Sequence, residues 1–439
     1  MPSSHQQNQH QHSPPTALNR EALPPRPIIW GNLLFLTLFA AIAISAAVWY
    51  QMTIGITWRE LVAGCTIWTL TGMGITTGYH RLFSHCGYKA HPAVKFTLAM
   101  LGGAAIQNSA IAWCSDHRYH HAETDTDGDP YDATRGFWYS HMGWIFFRSV
   151  RGDAHANVAD LKNDPILAWQ HKHYYLSLAA TNVFLVAVAG LLLGNWLGMI
   201  IIAGMLRIVV VQHATFLINS AAHIWGTQPW SNATTSKDNW ALSLITFGEG
   251  YHNYHHSFQA DYRNGPLWYN WDPTKWAIWT FSKLGLASNL RRTPVDVVLS
   301  TRYAESSRSF IERLETWGEH KSEEWSSLLA EKKTVAANRR DSLLQTLEDE
   351  KVALQERLLS AEAHLNLSLE DLRSMRASLR ERIQMAASET SADLRAAFQR
   401  EADQISASLK GANRSIKDTY RSWELLLDEY TRALPAVAA

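Results

Sequence analysis

Three histidine clusters carry the strongest chemical signal in this chain: His80 with His85, then His117, His120 and His121, then His252, His255 and His256. Imidazole is the commonest metal-binding side chain, and it binds through a neutral ring nitrogen. Eight such rings exceed what one ion takes, so the pattern points to a two-metal centre. In the two HxxHH runs the i, i+3 and i+4 spacing puts the rings on one side of a helix. His80 and His85 are five apart, which a regular helix splays by about 140°, so they are expected to straddle a helix end. Asn219 and His223 are four apart and share a face; His223 would supply a ninth imidazole and Asn219 would hold a metal-bound water. Imidazole suits Zn, Cu, Fe and Ni alike, but a structural zinc needs only four ligands. Nine rings fit two iron ions that keep exchangeable positions for O2.

Around these clusters, Asp116 and Glu249 are candidate acceptors for the outward ring N–H groups of ligating histidines. Asp125, Asp127 and Asp129 read as solvated turn residues. The scattered His91, His141, His155, His171, His173, His213, His320 and His364 read as structural or solvated.

The elements that must position the rings are apolar. Residues 28–50, 57–78, 175–193 and 196–219 each approach or exceed the ~20 residues that cross a bilayer as a helix, with Gly194-Asn195-Trp196 a tight turn between the last two. Arg20, Arg26, Arg81, Arg118, Arg135, Arg148, Arg151 and Lys162 all fall on one side of such spans. By the positive-inside bias, both termini and the 79–174 loop face the cytoplasm, which collects every histidine cluster on one membrane face. The stretch 92–113, broken by Gly102-Gly103 and Gln107-Asn108, is expected to lie in the interface or re-enter. The fold class is therefore an all-α, multi-pass integral membrane protein: four transmembrane helices under a cytoplasmic helical cap.

Charge divides the chain. The net formal charge is zero, yet 45 of the 80 Asp, Glu, Lys and Arg residues lie in 301–439. No nucleic-acid partner is implied. Residues 1–27, rich in Gln, His, Pro and Ser, read as a disordered tail whose His5, His10 and His12 are solvated. The next apolar run, starting near Ile28, is too long for the core of a cleavable signal. Residues 28–299 form the membrane domain and 300–439 a charged helical extension. There Leu344, Leu358, Leu365, Leu372 and Leu379 keep a seven-residue register, with Leu347, Leu354, Ala361 and Met375 complementary and Lys351, Ser368 and Arg382 as breaks, a coiled-coil or long-helix pattern. One straight helix would reach on the order of 200 Å, so a fold-back near Gly411 or elsewhere is expected. The three cysteines, Cys65, Cys86 and Cys114, form no CxxC pair and read as reduced thiols.

The runs TGYHRLFSH, SDHRYHH, INSAAHIWG and FGEGYHNYHHSF, in this order over about residues 28–290, resemble the membrane fatty acid desaturase family, in its stearoyl-CoA (Δ9) branch. The resemblance implies a non-haem diiron enzyme that inserts a cis double bond into a saturated acyl chain with O2 and two external electrons. By motif position it implies nine ligands: His80, His85, His117, His120, His121, His223, His252, His255 and His256, with Asn219 acting through water. It also implies a bent acyl tunnel at Gln107, Trp113 and Thr215, whose far end Trp68 and Gly72 would limit, and head-group contacts from Asn108, Asp116, Arg118 and Arg148. An unactivated methylene has no acidic proton, so acid–base groups cannot start this reaction; the protein's work is positioning and the exclusion of water.

Where animal acyl-CoA enzymes carry basic residues, this chain has Ser115 and Ser149, so an acyl-lipid competes with long-chain acyl-CoA as substrate. The 261–276 region looks bacterial or fungal, and a bacterial inner membrane is expected rather than the endoplasmic reticulum. No His-Pro-Gly-Gly motif marks a fused haem domain, so a separate donor (ferredoxin, cytochrome b5 or a reductase) is expected. The tail would support oligomerisation or dock such a partner. The rival readings are a fatty acyl hydroxylase with the same centre and, in another class, a non-catalytic membrane scaffold.

Overall fold

The computed structural model describes residues 26–148, 155–309, 312, 316 and 337–433. Expectations on His5, His10, His12, Ser149, Arg151 and His320 fall outside these residues. So do those on the side chains of Leu344, Leu347, Lys351, Leu354, Leu358, Ala361, His364 and Leu365. The chain is mostly helical and divides into two compact units, 1–292 and 293–439.

Among the described residues of the first unit, three helices are long and apolar enough to cross a membrane: Trp30–Thr53, Tyr174–Leu193 and Trp196–Ile224. The helix expected over 57–78 forms and is longer, Trp58–Met73 running on through Gly74–Ser84, but it is not among those three. Its first turn holds Arg59 and Glu60, capped through Thr57, and its far end holds His80 and Arg81, all of which lower its apolar character. Tyr50, Glu60 and Asn195 bond one another where the four helices turn, with Tyr50 3.1 Å from Glu60. The hairpin between the last two spans is the expected one, with Gly194 and Asn195 both at positive φ.

The 58–84 helix packs closely on Pro92–Gly103 through glycine. A methyl group at Gly74 would lie 2.4 Å from the Gly102 backbone nitrogen, and one at Gly78 would lie 2.9 Å from the Leu98 side chain. Small residues that let backbones approach are the usual device for apolar helices, which gain nothing from expelling water in lipid. Ile75, Tyr79, Leu98, Ile111 and Val211 form the core of this contact.

The 92–113 stretch is not one helix. Pro92–Gly103, begun by Pro92 and the His91 side chain, ends inside the protein; residues 104–109 are irregular, and Ser109 then caps Ala110–Glu123. The unit is not purely helical either. Lys89–Ala90 pairs antiparallel with Ala287–Ser288, a short ladder that local periodicity over two residues cannot announce. The three cysteines are free thiols.

In the second unit, a helix over 295–309 accompanies two long helices, Ala337–Ser388 and Ala392–Ala433, which pack on each other. The fold-back lies at residues 389–391, where Ser391 N–H bonds the Glu389 side chain and Arg395 bonds its carbonyl. Gly411 instead sits inside the last helix, exposed. Leu372 is buried in the seam, and Arg382, expected to break it, reaches Glu401 at 3.2 Å. Tyr303 stacks near Trp423 at 4.3 Å.

Candidate metal centre

Each histidine run sits where its element can aim it inward. His80 lies within the wide-turn segment Gly74–Ser84, and His85 is the residue that ends it, its N–H reaching back to the His80 carbonyl at 3.2 Å. Hydrogen bonds that run i to i+5 widen the turn, so residues five apart come to one face. The expected helix end is therefore present, but the winding does much of the positioning. His117, His120 and His121 ride on Ala110–Glu123, His223 on the last turn of Trp196–Ile224, and His252, His255 and His256 on the short helix His252–Ser257.

The nine rings form two groups. His80, His85, His117, His121 and His255 make one, and His120, His223, His252 and His256 the other; within each, donor nitrogens all lie within 4.8 Å of one another. The two HxxHH runs are used crosswise. From the first, the i, i+4 pair His117 and His121 joins the group of five while His120 turns to the other. From the second, the i, i+4 pair His252 and His256 joins the group of four while His255 crosses back. The groups adjoin: the rings of His121 and His256 stack at 4.3 Å.

Within the groups Nε2 faces Nε2: His85–His117 at 2.8 Å, His80–His255 and His121–His255 at 2.9 Å, His223–His252 and His252–His256 at 3.1 Å. Several of these rings already engage their other nitrogen. His120 Nδ1 bonds both Asp129 oxygens at 2.9 Å, His117 Nδ1 meets Tyr131 Oη at 3.1 Å, and His223 Nδ1 meets Thr235 Oγ1 at 2.8 Å. Where Nδ1 donates, Nε2 presents a lone pair. Lone pairs converging on one point suit a cation between them. Imidazole nitrogens about 2.1 Å from a common ion and at right angles to each other lie about 3 Å apart, which is the spacing found. The donor set therefore fits two ions.

Electrostatics agree. Burial, reinforced by neighbouring rings, holds His85, His117, His121, His252, His255 and His256 well below the ordinary imidazole range. Neutral imidazole is the ligating form. Glu249 Oε2 lies 2.8 Å from His80 Nδ1, and its other oxygen meets buried Arg81 at 2.9 Å. Burial alone would raise the Glu249 carboxyl, but His80 and Arg81 outweigh it and hold it lowered. Arg81 also pairs with Asp272 at 3.0 Å.

Sequence reasoning missed part of this surround. Asp129 is buried against His120, and Asp125 accepts from the Thr235 hydroxyl and amide, both at 2.6 Å, behind His223. These two are not solvated turn residues; Asp127 remains exposed. Their signal was the loop's return nine residues after His120, which in an Asp- and Gly-rich turn looks like any surface loop. Glu249 lies where expected. Asp116 is half-buried on the 110–123 helix, while Glu249 and Asp129 bond ring nitrogens of His80 and His120. Asn219 is half-buried one turn before His223, with no side-chain hydrogen bond to another described residue.

The expected substrate residues divide. Gln107 donates to Thr215 Oγ1 at 2.9 Å and accepts from Trp113 Nε1 at 3.3 Å, and the Trp113 ring stacks on His117 at 5.0 Å. This polar trio thus stands one ring away from the group of five. Trp68 packs on Phe247 at 4.9 Å, and a methyl group on Gly72 would come within 2.3 Å of the same Phe247 ring. Arg118 spends all five donors on protein: Asp160 at 2.7 and 2.8 Å and the carbonyls of Phe83, Ser84 and Asn157. Asn108 and Arg148 are exposed. Among the described residues the isolated histidines stay outside both groups: His141 and His213 bond each other at 2.9 Å, His171 meets Ser109, and His91 caps a helix.

Residues 56–279 match the model of the fatty acid desaturase family. The chain belongs to this family. It is 46% identical over 223 residues to acyl-CoA desaturase 1 of Saccharomyces cerevisiae, covering 50% of this chain and 44% of that protein. It is 36% identical over 286 residues to the delta(9)-fatty-acid desaturase fat-7 of Caenorhabditis elegans, covering 63% and 83%. It is 34% identical over 269 residues to the sn-1 stearoyl-lipid 9-desaturase of Anabaena variabilis, covering 60% and 94%. The chain spans about half the length of the yeast relatives it matches. With three apolar spans and this family, the desaturase unit is a membrane protein.

Proposed function

We propose that this chain is an O2-dependent fatty acyl desaturase that converts a –CH2–CH2– unit of a saturated acyl-CoA, at the Δ9 position, into a cis –CH=CH– unit. Two electrons and two protons are taken up with each O2, and two waters leave. The observation that supports this most is the pair of adjacent imidazole groups. The group of five and the group of four, with Asn219 beside the latter, would each hold one iron ion. Iron held there supplies the O2 activation and hydrogen abstraction that no acid–base side chain can provide.

The remaining steps fall to the chain's own residues. Glu249 and Asp129 orient His80 and His120. Gln107, Trp113 and Thr215 offer a polar corner beside His117 against which an acyl chain bends, and Trp68, Phe247 and Gly72 offer a wall that limits its length. The 58–84 helix serves as a fourth crossing, with the site and both termini on the cytoplasmic face. Electrons come from a separate donor protein. A second reading, desaturation of a lipid-bound acyl chain, is favoured by Arg118: its guanidinium is neutralised by Asp160 and has no donor left for a CoA phosphate.

Expression of the full chain in a host lacking Δ9 activity, with double bonds located by mass spectrometry, tests the proposal. The expected product is a Δ9 monoene in the acyl-CoA pool, lost in His120→Ala and His255→Ala. A monoene confined to intact lipid selects the second reading, and a hydroxylated product without a double bond refutes both.

A further inference from the structure

The break between Pro92–Gly103 and Ala110–Glu123 starts in the interior, with Ala104 and Ala105 fully enclosed and Ile106 and Gln107 half-buried, and it carries Ile106 and Asn108 at positive φ. Irregular backbone at this depth persists only where protein satisfies its polar groups. For the Ala104 and Ile106 carbonyls, side chains of the last span supply donors. Arg207 Nη1 donates to the Ala104 carbonyl at 3.1 Å, Gln212 Nε2 to the Ile106 carbonyl at 2.9 Å, and Thr215 meets the Gln107 side chain. Asn182, on the preceding span, joins them: its Nδ2 donates to the same Ala104 carbonyl at 3.2 Å and its Oδ1 accepts from Arg207 Nη2 at 2.5 Å.

Arg207 is 2% exposed and lies well inside a helix apolar enough to cross a membrane. Among the described residues no carboxylate pairs with it; its partners are two carbonyls and an amide. A cation placed so deep is rare, and its retention calls for a task. What it grips is the helix end three residues before Gln107, the residue that joins Trp113 and Thr215 beside His117.

We propose that Arg207 and Gln212 are positioning residues that fix the 104–107 backbone, and that they thereby set which carbon pair of the acyl chain lies at the metal centre. The inference rests on the desaturase reading given above. A displacement of Gln107 along the chain direction by about one carbon–carbon step changes the reacting pair. Loss of either clamp therefore degrades positional fidelity before it degrades metal binding.

The test uses the full chain in membranes of a host without Δ9 activity. Wild type, Gln212→Met, Arg207→Met and Arg207→Lys are compared for protein amount, iron per chain and the distribution of double-bond positions. Gln212→Met is expected to retain wild-type iron while its fraction of displaced double bonds rises at least tenfold. Arg207→Met is expected to show the same spread with lower turnover, and Arg207→Lys, which keeps one donor for Ala104, to recover part of the fidelity. Should Arg207→Met fail to accumulate, Gln212→Met decides alone. Active variants that keep the wild-type position, whatever their yield, overturn the assignment, since a purely structural role lowers yield without moving the bond. A wild type that forms no monoene would remove the desaturase reading and this inference together, an outcome distinct from active variants with unmoved bonds.

Discussion

At the residue scale, the rings were legible because chemistry repeats in the sequence: HxxHH occurs twice, and no structural demand on a helix explains it. The groups behind the rings were not legible, because a carboxylate that orients an imidazole carries no spacing rule of its own. Asp129 is the clearest case. Its two oxygens hold His120 Nδ1, and changing such an outer partner commonly lowers metal affinity ten- to a hundredfold. Asp129→Asn should therefore retain fold and membrane insertion while losing iron by this factor in a chelator competition; unchanged retention would contradict its role. Burial also sets a pH dependence. The six rings held below the ordinary imidazole range refuse protons that the unfolded chain accepts below about pH 6.5. Their contribution to stability is thus present above that pH and is lost as pH falls beneath it. Metal-stripped protein in detergent should melt at progressively lower temperature from pH 7 toward pH 5, and a flat profile would rule this linkage out.

At the element scale, length and apolarity announced the apolar helices and the Gly194-Asn195 turn, though the second helix, expected over 57–78, runs on to Ser84. That helix buries Thr71, Thr76, Thr77 and His80 within the protein, which makes it less apolar than the three spans. Its wide winding over 74–84 was invisible, because hydrogen-bond register is a property of packing and not of residue type. The packing itself yields a test. A methyl group at Gly74 would meet the Gly102 nitrogen at 2.4 Å and the Leu101 carbonyl carbon at 2.6 Å, and backbone cannot step aside as a side-chain tip can. Gly74→Ala should destabilise the first unit by about 1–3 kcal/mol, read as a lowered unfolding midpoint. Gly31→Ala, with open space around it, should leave the midpoint in place.

At the scale of the whole molecule, the chain divides into 1–292 and 293–439, and the charge gathered in 301–439 is of a kind that an apolar membrane core does not take up. The position of the fold-back was not anticipated: glycine drew attention to 411, whereas Ser388 to Ser391, a cluster rich in capping side chains, supplies the turn. Since all nine rings belong to the first unit, a chain ending at Arg292 is expected to bind iron and desaturate at rates within about threefold of the full chain, measured per mole of inserted protein. Loss of iron on truncation would tie the extension to the site. The reach of the donor set has a further consequence for biogenesis. His80 and His255 are separated by 175 positions, so a nascent chain that has threaded its early spans still exposes only half a nest of donors. Each group draws on the last histidine run, His255 in one and His252 and His256 in the other, so a product stalled before that run could complete neither group, and full loading of both must follow its delivery.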